Sequence, residues 1–103
     1  MVAKIETSAF DSADYLNSAE SIAAYLDEYL EDGTPEELRE AMATVARSHG
    51  VSDLARSSGV SRPGIYKALG QDGNPSFETV RALLTAMGLR LTVEPAEIES
   101  KAA

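Results

Sequence analysis

A chain of 103 residues, 44% hydrophobic and 25% charged, has room for one domain with one modest core. It holds no cysteine, which excludes disulfides, thiolate metal sites and cysteine nucleophiles. No apolar run approaches the ~18 residues of a membrane span and the N-terminus lacks a signal-peptide core, so a cytoplasmic protein away from membranes is expected.

The formal charge of −8 is unevenly spread: residues 1–40 hold 11 acids and 2 bases, residues 41–93 hold 3 acids and 6 bases. An acidic half beside a mildly basic one suggests two different partners; a solvated face that only aids solubility is the equal alternative. In chain order, residues 1–10 form a flexible arm with little periodicity, and Asp11 can cap a single turn, Ser12 to Leu16. Asn17 reads as the N-cap of the next helix, with Glu20 three residues on as in a capping box. Ile22, Leu26, Tyr29 and Leu30 share one face at helical spacing. Asp27, Glu28, Glu31 and Asp32 crowd the end of that helix, where acids oppose the helix dipole. A sequence that keeps them there suggests a basic partner, and these four are the candidate residues for binding it. Gly33 ends the helix.

Thr34-Pro35-Glu36-Glu37 is the strongest helix start in the chain: a Thr cap, Pro at the first position and Glu three on. Leu38, Ala41, Met42, Val45 and Ala46 form the predicted buried stripe of that helix, and Gly50 stops it. His49, the sole histidine, stands at the helix end, where a cation is favoured. One histidine without cysteine is no metal site, and no cofactor is expected.

Residues 51–69, VSDLARSSGVSRPGIYKAL, predict a helix-turn-helix. Ser52 is the expected cap of the first helix, Gly59 can take the left-handed conformation of a sharp turn, and Val60 plugs the angle. Ser61 caps the second helix, with Pro63 in its first turn. Leu54, Val60, Ile65 and Leu69 are the apolar anchors. Ser61, Arg62, Gly64, Tyr66 and Lys67 are the outward positions of a helix placed to enter the DNA major groove. A helical hairpin in a bundle that meets no DNA is the alternative.

A turn-rich loop, Gly70 to Pro75, follows. Ser76 then caps a last helix whose predicted stripe is Phe77, Val80, Leu84 and Met87 with Leu83 beside it, ended by Gly88. Leu89-Arg90-Leu91-Thr92-Val93 alternates at the period of a half-buried strand, which needs a partner from the arm, a second copy or another protein. Residues 96–103 are expected to be disordered. The reading is one domain over 11–95, mainly all-α, with five helices and a short C-terminal β-strand over 89–93. Without cysteine, a phosphate loop or a histidine in a catalytic context, an enzyme is not expected.

Several segments together resemble one family. They are Phe10-Asp11, Asp14-Tyr15-Leu16, Ile22-Ala23-Ala24-Tyr25-Leu26, Val45-Ala46-Arg47, Leu54-Ala55-Arg56, Gly59-Val60-Ser61-Arg62, Tyr66-Lys67-Ala68-Leu69, Gly73-Asn74-Pro75-Ser76-Phe77 and Met87-Gly88-Leu89-Arg90-Leu91. The family is the probable addiction-module antidote proteins, HigA-like antitoxins with an Xre-type, lambda-repressor-like helix-turn-helix domain and an N-terminal helical extension. The resemblance covers about residues 8–95, and the Tyr-Lys-Ala-Leu and Gly-Asn-Pro-Ser-Phe segments are its most specific parts. It implies a bacterial type II antitoxin that neutralises a small basic toxin of the RelE/HigB/ParE-like class and represses the shared operon as a homodimer on operator DNA. Gly64 departs from many relatives, which carry a longer polar side chain there.

On either route, Arg56 and Lys67 are the expected phosphate contacts, and Arg62, Tyr66 and Ser61 the expected readers of base edges. Asn74 is assigned either to phosphate or to the turn. A stand-alone regulator without a toxin, and a protein-interaction module that no longer meets DNA, are the two other classes left open.

Overall fold

The computed structural model describes residues 16–96. Among them are five helices and no strand: α1 (Ala19–Asp32), α2 (Pro35–His49), α3 (Val51–Ser58), α4 (Arg62–Leu69) and α5 (Phe77–Ala86). The expected arm over 1–10, the turn before Leu16 and the tail beyond residue 96 lie outside the described residues.

The centre of the molecule is four side chains, one from each of four helices. Val45 of α2, Leu54 of α3, Ile65 of α4 and Leu83 of α5 are at most 1% exposed. Burying each contributes roughly 1.5–3 kcal/mol. Leu16, Ile22, Leu26, Ala41, Met42, Ala46, Leu69, Leu84 and Met87 complete the core, so Met42 and Met87 are apolar filler on their predicted stripes. α3 packs against α2, α4 and α5; α4 also rests on α2, and α1 lies along α2.

The boundaries follow from caps. At Thr34 the reciprocal box is present: the Glu37 N–H donates to Thr34 Oγ1 and the Thr34 N–H to Glu37 Oε1, both at 3.0 Å. Ser61 and Ser76 cap α4 and α5 by accepting from the Gly64 and Thr79 N–H groups, each at 3.0 Å. Gly59 ends α3 at φ +81°, as the tight turn requires.

Four expectations are corrected. The cap of α1 is Ser18, not Asn17, and its reciprocal partner is the Ser21 hydroxyl, not Glu20: the extended Ser18 backbone brings its Oγ to 3.1 Å from the Ser21 N–H. α3 begins at Val51, not after Ser52, because Gly50 at φ +101° serves both as the end of α2 and as the start of α3, leaving no loop to cap. Leu30 and Phe77 are 59% and 71% exposed. α1 has α2 as its main neighbour, so its buried stripe is narrow: Ile22 and Leu26, flanked by half-buried Tyr25 and Tyr29. Phe77 occupies the first position of α5, one turn ahead of the contact made by Val80, Leu83, Leu84 and Met87. The strand over 89–93 is absent. Leu89 packs on the core, with its N–H on the Leu84 carbonyl at 2.9 Å, while Leu91 and Val93 are 40% and 94% exposed. A lone segment has no ladder to join, and no described segment lies in position to supply one.

Candidate nucleic-acid interface

α3 and α4 are joined by Gly59, Val60 and Ser61 alone, which fixes the second helix across the first. Val60 packs against the core and its N–H donates to Ser58 Oγ at 3.1 Å. Behind α4, Ile65 and Leu69 are buried and Ala68 half-buried. That fixes which face looks outward: Arg62, Tyr66 and Lys67 are exposed, Tyr66 by 55%.

Arg62 and Tyr66 are one helical turn apart and lie against each other on the exposed face. The guanidinium carbon lies 5.9 Å from the ring centroid, and Arg62 Nη2 donates to Tyr66 Oη at 3.5 Å. The guanidinium rests beside the ring with its remaining donors open, a disposition compatible with a bidentate contact to a guanine edge. α4 carries no acid, so nothing on this helix repels a phosphate.

The remaining candidates are placed differently. Ser61 is exposed, but its oxygen is committed to the cap. Gly64 is half-buried over the turn: a Cβ there would stand 3.0 Å from Ser61 Oγ and 3.2 Å from Val60 Cγ1. It therefore preserves the cap and offers no reading group. Arg56 is exposed on α3 and ion-paired with Asp53 one turn earlier, so a phosphate must compete for it. Asn74 is exposed in the loop after α4.

The acidic candidates form a second surface. Asp27, Glu28, Glu31 and Asp32 are all exposed. Glu28, Glu31 and Asp32 line an open depression with Tyr29, Gly33 and Glu37; Asp27 stands outside it. Tyr29 packs edge-on against Tyr25, with ring centroids 5.4 Å apart at 71°. Tyr25 beside it, then burial, then the charges of Glu28 and Glu37 raise the Tyr29 hydroxyl above its ordinary pKa. His49 is half-buried at the end of α2.

One residue was missed. Arg39 of α2 is only 9% exposed, and its Nη1 donates to the carbonyls of Leu69 at 3.3 Å and Gly70 at 2.6 Å. A signal existed: it lies three residues before Met42 and seven before Ala46, on the edge of the buried stripe.

Among the described residues no helix is long and apolar enough to cross a membrane, and no cluster of three potential metal ligands occurs. A family model described as "Probable addiction module antidote protein" matches residues 6–95. The chain is also similar to a protein of Haemophilus influenzae (strain ATCC 51907 / DSM 11121 / KW20 / Rd) described as uncharacterized, with 41% identity over 85 residues, 82% of this chain and 88% of that one. No solved structure matches it significantly.

Proposed function

The chain belongs to the family of probable addiction module antidote proteins, and from that membership we propose that it is the non-enzymatic antitoxin of a type II toxin–antitoxin module in the cytoplasm. It neutralises a basic RelE/HigB/ParE-like toxin and represses its own operon by reading operator DNA. The observation that carries the DNA half is the acid-free outer face of α4, where Arg62, Tyr66 and Lys67 stand exposed opposite buried Ile65 and Leu69. Arg62 and Tyr66 read base edges; Lys67 and, once released from Asp53, Arg56 bind phosphate. A homodimer sets two such helices on half-sites about 34 Å apart. The toxin half rests on family membership and on the depression around Tyr29, whose acidic lining suits a basic surface.

A gel-shift titration against the gene's own upstream DNA and a scrambled duplex, at two salt concentrations, tests the reading. Specific retention is expected, and Arg62→Ala is expected to weaken it by about 1–3 kcal/mol while leaving toxin binding intact. Absence of any sequence-dependent retention, with and without the product of the neighbouring gene, would overturn operator reading and leave a protein-interaction module.

A further inference from the structure

The recognition helix is closed unlike the other four. α1, α2, α3 and α5 each end with the N–H of the capping residue returned to a carbonyl of the same helix: Gly33 to Tyr29, Gly50 to Ala46, Gly59 to Ala55 and Met87 to Leu83. At Gly70, which ends α4, no such bond is made; the backbone turns away at φ −77° and ψ −176°. Instead, Arg39 of α2 reaches the carbonyls at that end, donating to Leu69 and Gly70, and the Gly70 carbonyl also accepts from the Gly73 N–H at 2.9 Å. The guanidinium is buried, yet among the described residues the one ion pair joins Arg56 and Asp53, so no described carboxylate pairs with Arg39. Its charge is balanced by the negative end of the α4 dipole and by two charge-assisted hydrogen bonds.

α4 has only eight residues, and two buried side chains, Ile65 and Leu69, hold it from behind. With half-buried Ala68 they lie on one stripe, and contacts confined to one stripe leave a short cylinder free to swivel about it. A further fixed point at its C-terminal end, reaching from a different helix, removes that freedom. We propose that Arg39 is a positioning residue for sequence reading: it sets the rotation of α4 on α2, and so the register in which Arg62 and Tyr66 meet base edges. This rests on the operator reading proposed above. Phosphate contact tolerates a small swivel, since it depends on charge and distance; a bidentate base contact does not.

The two roles separate in measurement. Loss of stability alone removes active protein and lowers affinity for operator and scrambled duplex by the same factor. Loss of register lowers the operator more. Arg39→Met keeps the apolar stem and removes the donors; Arg39→Lys keeps the charge without the fork. With concentrations corrected for active fraction, Arg39→Met is expected to lower the operator-to-scrambled ratio roughly tenfold, the worth of one base contact, and Arg39→Lys to restore part of it. A ratio within about twofold of the unmutated protein overturns the proposal.

Residual dipolar couplings of the backbone amides give a reading without DNA. In either variant the couplings of residues 62–69 are expected to depart from the frame set by α2, α3 and α5; unchanged α4 couplings overturn the proposal. If Arg39→Met fails to fold, Arg39→Lys carries both measurements under the same criteria. If the unmutated protein retains no operator, the functional reading fails, and the couplings still decide the role of Arg39.

Discussion

Gly59 and Gly73, on either side of α4, are glycines for different physical reasons, and alanine distinguishes them. Gly59 sits at φ +81° with nothing within 4 Å of where a Cβ would be. Gly59→Ala therefore incurs only the left-handed backbone penalty, about 1–2 kcal/mol. A Cβ on Gly73 would stand 2.1 Å from the Ala68 carbonyl oxygen and 2.7 Å from that of Lys67, both backbone atoms of α4. Gly73→Ala must lift the loop off the helix, and about 2–3 kcal/mol is expected. Urea midpoints at constant m-value measure both; a Gly73→Ala cost equal to or below that of Gly59→Ala would mean the loop is not seated as described. Gly59 was legible because a turn between two short amphipathic segments names its own glycine. Gly73 was legible only as a loop residue, since its constraint comes from carbonyls touched through space. Arg39 lies between: its spacing marked the buried stripe, but its partners, thirty and thirty-one residues away, left no trace in local pattern.

At the scale of elements, the caps carry most of what sequence conveyed. Thr34 with Glu37, Ser61 and Ser76 were found where side-chain chemistry and helix start coincide. α1 was displaced by one residue because Asn17 and Ser18 are both good caps, and backbone geometry chose between them. α3 was misread because Gly50 links two helices without a loop, a junction no local rule signals. Alternation at 89–93 correctly reported β-propensity, but a strand is a property of a pair. The caps also give a functional contrast. Thr34→Ala and Ser61→Ala each remove a comparable cap, so each is expected to cost about 1 kcal/mol in thermal or urea unfolding. Only Ser61 supports the turn that bears Arg62. Ser61→Ala is therefore expected to weaken operator binding beyond what its stability loss explains, and Thr34→Ala is not; equal operator loss in the two would remove the assigned link between the α4 cap and reading.

At the scale of the whole molecule, the proposed operator reading must account for how a chain of charge −8 would approach a polyanion. The acids are concentrated on α1 and the start of α2, while α4 carries none. If the two surfaces serve different partners, they must respond separately to charge removal. Glu28, Glu31 and Asp32 line the depression and stand at the C-terminal end of α1, against its dipole; Glu37 lines it too but is committed to the α2 cap. A Glu28→Ser, Glu31→Ser, Asp32→Ser variant is thus expected to be more stable than the parent at low ionic strength, by about 0.3–1 kcal/mol per acid removed. It should also bind the cognate toxin less well, with the deficit shrinking as salt is raised. Unaltered toxin affinity in calorimetry would remove this surface from the interface. Operator binding by the same variant then tests the separation. The slope of log affinity against log salt counts phosphates contacted, near −0.9 for each, and those contacts are assigned to α3 and α4. Lys67→Ala should make that slope shallower by about one unit with sequence preference kept. The acidic-face variant should leave it where it was, because removing a charge outside the DNA footprint releases no additional counterion. A slope altered by the acidic-face variant would place α1 within the footprint, and toxin and operator would then compete for one surface.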